Sequence, residues 1–352
     1  MATEAQKKQQ REVRAPSWRP EGCRVQTLMA QAELMSAPSP DAPPSHEVIA
    51  PRDRSLPFIF SSPHSGDDYP AAFVAGSRLS PLELRRSEDS FVDELFSAAP
   101  EEGAPLLRAL FPRAYVDPNR EPFELDQAMF ADQLPDYANT TSPRVMAGLG
   151  TIAKIVASGA EIYREKLTFS EASTRIRQHY WPYHATLRQL VEDTRSRFGF
   201  CVLIDCHSMP SQLTIAKTTR DIAKVRGNGR NGARGLPQEC QDQRTVAGSG
   251  MDRILGDSHG RACAGCLTDA AEASLRAMGY RVGRNDPYSG GFVTRHYGRP
   301  IERVHALQID INRRIYMDET RIEQHHDLSK LQDDLRHLIN DLAAVAFQEL
   351  CL

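Results

Sequence analysis

Phe200-Cys-Val-Leu-Ile-Asp-Cys-His-Ser208 is the stretch that decides the fold class. Its first five residues form a continuous apolar run after Gly199, the pattern of a strand buried on both faces of a parallel sheet. Three further runs have this build: Leu56-Pro-Phe-Ile-Phe60, Ala114-Tyr-Val-Asp117 and Val304-His-Ala-Leu-Gln-Ile309. Amphipathic stretches separate them. Thr168 and Glu171 have capping-box spacing ahead of a stripe of Ile176, Tyr180, Tyr183, Leu187, Leu190 and Val191, with Gly199 as the stop and Pro182 expected to kink the helix. Helical period also runs from Asp327 to Leu350. Strands alternating with helices predict an α/β domain around a largely parallel sheet.

The residues just beyond each strand are more telling than the strands. Phe60 leads into Ser-Ser-Pro-His64-Ser-Gly, Val116 into Asp117-Pro-Asn119-Arg120, Ile204 into Asp205-Cys-His207-Ser208, and Ile309 into Asp310-Ile-Asn312-Arg313. The carboxyl ends of strands in an open α/β sheet line one crevice, so these four clusters are expected to converge. Two histidines, carboxylates and arginines in one crevice describe a metal hydrolase, since a catalytic zinc takes three protein ligands and keeps a position for water. His64 and His207 are the natural pair. The third ligand stays open among Glu88, Asp89 and Asp93, on a predicted helix whose Phe91, Val92, Leu95 and Phe96 face the core and whose Asp89 and Asp93 share one face.

Each of these residues has an ordinary alternative: a hydrogen-bonded structural histidine, a solvated acidic helix face, or a surface salt bridge for Arg113 and Arg120, which otherwise suit a substrate carboxylate. Gly290-Gly291 lets a backbone approach a ligand or forms a tight turn. His259, His296 and His305 are read as structural. No Gly-x-Ser-x-Gly elbow occurs, which weakens any serine-nucleophile reading.

Composition sets the outer bounds. The 352 residues are 40% hydrophobic and 25% charged, and 43 basic against 46 acidic side chains give a net charge of −3, so no global field attracts nucleic acid or anionic lipid. No apolar run approaches the roughly 20 residues that span a bilayer, and Met1–Gln10 lacks the apolar centre of a secretory signal; a cytoplasmic location is expected. The seven cysteines read as free thiols, and Cys263-x-x-Cys266 has no second pair to complete a zinc site. Residues 1–50, poor in aromatics and rich in Pro and Ser toward their end, are expected to form a disordered tail, and 51–352 one domain. Within it, 217–253 is rich in Gly, Arg, Asn and Gln and reads as a flexible, locally basic insertion; without interleaved aromatics it is not read as an RNA contact.

The motifs SSPHSG, EDSFVDELF, RAYVDPNREPFEL, GLGTIAKIV, YWPYH, IDCHSMPS, LGDSHG, NDPYSGGFVTRHYGRP and HALQIDINRRIYMDE resemble, in order, those of the N-formylglutamate amidohydrolase family from about Phe58 to Glu319. The resemblance implies a three-layer α/β/α sandwich with a mostly parallel mixed sheet, similar to zinc carboxypeptidases and aspartoacylases. It implies zinc-dependent hydrolysis of an N-formyl amide, with one Zn²⁺ (other divalent metals being alternatives) on His64, His207 and Asp89, or Glu88 in Asp89's place. Asn119 and Arg120 correspond to a pair that grips a substrate carboxylate, Arg120 or Arg113 is expected either to neutralise the developing oxyanion as a catalytic residue or to hold that carboxylate, and Ser208, Gly291, Thr294 and Arg313 complete the expected substrate-binding set. Asp310 takes the role of general base and proton shuttle. The family often writes that strand LQIEINR, so Asp310 stands where a longer Glu is usual, and the 217–253 stretch replaces a shorter connection.

The expected activity is release of formate from N-formyl-L-glutamate, or a close N-formyl amino acid, in histidine catabolism. The protein would act as a monomer or small homo-oligomer, without nucleic acid or membrane as partner. The same residues support two other readings: a deacylase for another small N-acyl amino acid, or a weakly active binding protein that keeps the fold.

Overall fold

A computed structural model describes residues 44–214, 245–247, 250–326 and 328–351. Its strands are β1 (His46–Ile49), β2 (Phe58–Ser62), β3 (Leu106–Ala109), β4 (Cys201–Met209), β5 (Gln212–Thr214), β6 (Thr245–Ala247), β7 (Arg253–Gly256), β8 (Val282–Arg284), β9 (Val304–Asn312), β10 (Met317–Asp318) and β11 (Glu323–Gln324). Seven of them form one sheet in the order β1-β3-β2-β4-β9-β7-β8. The central pairs β3–β2, β2–β4 and β4–β9 are parallel, as is β7–β8, while β1 and β7 run antiparallel to β3 and β9.

Both faces of the sheet are covered, and the alternation along the strands shows how. Phe58, Phe60, Val202, Ile204, Cys206, Leu307, Ile309 and Ile311 pack into one core with the helices Gly265–Ala277 and Leu328–Leu350. Their neighbours Ile59, Cys201, Leu203, Val304 and Ala306 pack into a second core with the helix Trp181–Phe198. Period-2 alternation between two apolar layers makes a three-layer α/β/α sandwich, as the resemblance implied.

Several local expectations are corrected. Ala114–Asp117 is a turn: the amides of Tyr115 and Val116 bond back to the Pro112 carbonyl at 2.9 and 3.3 Å, and the strand is the apolar run just before it, Leu106–Ala109. Prolines at 112 and 118 flank that turn and withdraw two amide donors that a ladder needs. The acidic helix shrinks to Val92–Leu95, because Phe91 is left-handed at φ 67° and breaks the helix between Asp89 and Asp93. Pro182 is absorbed by a π-helical turn over Ile176–Tyr180 directly before Trp181, and the capping box at Thr168 and Glu171 forms.

The expected tail over 1–50 falls largely outside the described residues, but β1 already pairs with β3 from His46 onward. Most of the expected insertion over 217–253 also lies outside them. Its last residue does not belong to a solvated loop: Arg253 opens β7, is fully buried, and stacks its guanidinium 4.1 Å from the Tyr280 ring centre.

Candidate active site

The polar clusters converge because the alternating pattern changes character toward the strand ends. Along one face β4 reads Cys201, Leu203, Asp205, His207 and β9 reads Val304, Ala306, Gln308, Asp310, so apolar residues give way to chemistry halfway along. The register sets Asp205 opposite Gln308 and His207 opposite Asp310. These ends, with the loop after β2, open on a cavity of about 800 Å³ lined by His64, Asp89, His207 and Asp310 among others.

Among the described residues, His64, Asp89 and His207 form the group whose donor atoms converge, all within 4.8 Å of one another. His207 Nδ1 lies 2.9 Å and His64 Nδ1 3.3 Å from Asp89 Oδ2. The other two acid candidates are bound to other partners: Glu88, though in the cavity lining, accepts from Tyr69, Arg85 and Ser90, and Asp93 pairs with Arg108 at 2.8 Å. Asp89 reaches the histidines through the turn after Glu88, its own amide bonded to the His64 carbonyl at 2.9 Å.

Behind each histidine stands a second carboxylate. Asp117 Oδ1 is 2.8 Å from His64 Nε2, and Asp205 Oδ1 is 3.0 Å from His207 Nε2. The latter contact is off the hydrogen-bond direction, and Asp205 Oδ1 is a buried oxygen without a hydrogen-bond partner. This donor set fits a divalent cation. When Nδ1 of a histidine is given to a metal, Nε2 carries the proton and needs an acceptor, and here both acceptors are in place, one of them unused. Two imidazoles and a carboxylate suit zinc.

Burial raises the carboxyls of Asp89 and Asp117, but both end well below the usual carboxylate range. Asp89 is pulled down by bonds from His207 and His64, and Asp117 by the charges of Arg120, His64 and Arg113. Burial and the Arg113 charge push His64 down; burial also acts on His207, yet Asp205 and Asp89 lift it to about 10. Asp310, whose carboxyl accepts from Gln308 Nε2 at 2.7 Å, is pushed up to about 7 by burial, against the opposing pull of His207.

The expected substrate residues divide. Arg113 faces the cavity and pairs with Asp117 at 2.9 Å. Arg120 lines it too, donating Nε to the Leu149 carbonyl and Nη1 to the Asn119 carbonyl, with Nη2 3.5 Å from Asp117. Asn119 is fully engaged with protein, accepting from the Val293 amide and donating Nδ2 to Asp205 Oδ2 at 3.3 Å, with Nδ2 2.9 Å from His207 Nε2, so it positions the carboxylate behind the histidine. Ser208 and Arg313 both bond Asp89 Oδ1 at 3.0 Å and hold the carboxylate in place. Thr294 is fully buried and does not line the cavity; its hydroxyl donates to Asp205 at 3.2 Å. Gly291 does line it, and a Cβ there would lie 2.3 Å from the Asn119 amide.

The sequence pattern alone did not reveal the orienting roles of Asp117 and Asp205, although both stand in the strand-end clusters, two residues before Asn119 and His207. Nor did it reveal Tyr288, a cavity residue in the NDPYSGG motif whose hydroxyl burial pushes up to about 12.

Residues 56–317 match the model of the family described as N-formylglutamate amidohydrolase. The chain belongs to the N-formylglutamate amidohydrolase family. The crystal structure of N-formylglutamate amidohydrolase from Ralstonia eutropha JMP134 shares 35% identity and a TM-score of 0.71, covering 86% of this chain and 98% of that one. The N-formylglutamate deformylases of Pseudomonas aeruginosa and Pseudomonas putida are 28% and 27% identical over 276 and 280 residues, in each case 78% of this chain and 86% of theirs. An Agrobacterium tumefaciens gene product of known structure, at 16% identity and a TM-score of 0.55, shares the fold. The named relatives are hydrolases acting on an amide, and this member of the family has its polar strand ends gathered in one cavity. No helix among the described residues is long and apolar enough to cross a membrane.

Proposed function

We propose that this chain hydrolyses the N-formyl amide of N-formyl-L-glutamate, or of a close N-formyl amino acid, to formate and the free amino acid, with Zn²⁺ or another divalent metal held by His64, Asp89 and His207. The observation that carries the reading is the convergence of those three donors in front of two orienting carboxylates, inside an arginine-lined cavity. A cation there supplies Lewis acidity, which lowers the pKa of water toward about 7 and polarises a carbonyl.

The chain's own residues do the rest. Asp310 takes a proton from the attacking water and passes it to the amine nitrogen as the C–N bond breaks. The Arg113 guanidinium, kept charged beside Asp117, offsets negative charge that develops on the formyl oxygen. Arg120, through Nη2 with only the 3.5 Å contact to Asp117, takes a substrate carboxylate, and the half-buried Tyr288 hydroxyl, un-ionised at neutral pH, is a further donor to the cavity. The setting proposed for the reaction is amino-acid, specifically histidine, breakdown in the cytoplasm.

The test is direct. Metal-loaded protein is assayed for formate release from N-formylglutamate and N-formylaspartate and for acetate release from the N-acetyl analogues. Formate from N-formylglutamate is expected; acetate release alone would move the reading to a deacylase of another class, and release from none would overturn it.

A further inference from the structure

The arginines of the cavity are not used alike. Arg113 and Arg313 are committed to Asp117 and Asp89, and Arg120 spends two of its nitrogens on backbone carbonyls. Arg144 and Arg295 line the same cavity, and neither makes an ion pair with any described residue; the exposed Arg86, also in the lining, makes none either, its carbonyl accepting from Arg313. Arg144 makes no side-chain hydrogen bond to a described residue either, and Arg295 makes one, from Nη1 to the Gly290 carbonyl at 3.0 Å.

Both are nevertheless held in position by their backbones. Arg144 sits in the short helix Pro143–Met146, capped by Ser142, and its carbonyl accepts from the Leu149 amide at 2.8 Å. Arg295 is in the helix Phe292–Tyr297, whose Val293 amide is tied to Asn119. The two guanidiniums share one cavity, where burial and the Arg295 charge push Arg144 down and burial pushes Arg295 down against the pull of Glu121 and Glu124. Arg144 is half-buried and Arg295 exposed, and with no ion pair to a described carboxylate both guanidiniums are available to the counter-charge of a ligand in the cavity.

We infer that Arg144 and Arg295 form a second carboxylate subsite, which takes the side-chain carboxylate of the substrate and selects N-acyl dicarboxylic amino acids over neutral ones. The inference rests on the proposed reaction and adds its specificity. Arg120 and Arg113 serve the carboxylate and the oxyanion nearest the reacting amide, and the unpaired couple serves the far end of the same molecule. A bidentate guanidinium–carboxylate contact is geometrically selective, and its neutral amide isostere leaves both arginines unneutralised.

Arg144→Gln and Arg295→Gln are compared with the wild type on N-formyl-L-glutamate and its isostere N-formyl-L-glutamine, with melting curves as a fold control and Arg144→Lys as a charge-retaining variant. Each Gln variant is expected to lower the glutamate-over-glutamine ratio of kcat/KM about 10- to 100-fold, mainly through KM, with Arg144→Lys recovering part of it. Parallel losses on both substrates, or no loss, would overturn the subsite. Equilibrium binding of L-glutamate and L-glutamine to the same proteins separates this inference from the reaction. An arginine-dependent preference for glutamate without turnover by the wild type would leave the subsite standing and sink the proposed reaction. Absence of that preference in the wild type would overturn the subsite, whatever is turned over.

Discussion

The two histidines that face Asp89 are supported by the same device and end up in opposite states. His64 has Asp117 on its far nitrogen, but Asp117 is already neutralised by Arg113 at 2.9 Å and Arg120 at 3.5 Å, and the imidazole is pushed below its ordinary value. His207 lies between Asp89 and Asp205, whose second oxygen is bonded only by the neutral Asn119 and Thr294, and it is lifted to about 10. One arm of the metal-free site is therefore neutral at pH 7 and the other is an imidazolium. A carboxylate behind a histidine fixes its direction; the charges behind the carboxylate fix its protonation.

The largest expected effect removes the arms themselves. His64→Ala and His207→Ala should each abolish stoichiometric zinc binding, measured by elemental analysis after dialysis, and formate release with it; full zinc retained in both would break the ligand assignment. Next is the acid beside the protonated arm. Asp310→Asn should lower kcat by roughly 10²- to 10⁴-fold with zinc still bound, and unchanged kcat would make Asp310 a structural residue. Wild-type kcat/KM should rise with pH as Asp310 loses its proton, with an acid limb at about 7 or lower, since the cation adds positive charge nearby.

The same variant reports on stability in the metal-free protein. Asp310 is raised from 3.8 to about 7, so its neutral form is the one the fold favours: its contribution is intact below about pH 4 and declines as pH climbs to 7. Metal-free Asp310→Asn should thus melt with the wild type near pH 4 and above it at pH 8; an order reversed at pH 8 would contradict the buried, uncompensated carboxylate.

Smaller effects separate the two supports. Asp117→Asn and Asp205→Asn should each weaken zinc affinity, by about 10- to 100-fold for a contact of this kind. The Asp117 variant should lose more, because Arg113 and Arg120 are then left uncompensated beside the cation, whereas losing Asp205 also eases deprotonation of His207. Equal losses in a competitive metal titration would erase the distinction. The finest difference is one proton: calorimetry in buffers of differing ionisation enthalpy should show zinc binding at pH 8 releasing about one proton from the histidine pair, and fewer in Asp205→Asn, whose His207 is less strongly protonated beforehand. Release of two, or of none by the wild type, would mean that the arms are alike.

Much of this architecture is legible in the sequence. The runs ending at Phe60, Ile204 and Ile309 are β2, β4 and β9, and the residues just beyond them meet in one cavity. Local pattern fails where neighbours decide. Ala114–Asp117 looks like a strand until its flanking prolines are counted, and Asp89 and Asp93 look like one helix face until Phe91 turns left-handed. β7 and β8, at four and three residues, are too short to show a period. Thr294, Ser208 and Arg313 lie within the right motifs, but that they grip the protein's own carboxylates, and not a substrate's, depends on tertiary contacts that no spacing contains.

The antiparallel direction of β7 bears on where the length of the chain can vary without disturbing the sheet. Arg253 pairs with Ile311 and Gly256 with Gln308, so β7 begins at the edge of the sheet where β4 and β9 end. The chain leaves that edge at Pro210, a cavity residue, and is tied back to it at Met251 and Asp252, both bonded by Asn312. The excursion between them thus starts at a cavity residue and finishes at the same end of the sheet. Growth or loss of sequence between β5 and β6 leaves every strand of the seven-stranded sheet in its place, so this joint can change length beside the cavity without moving the residues that do the chemistry.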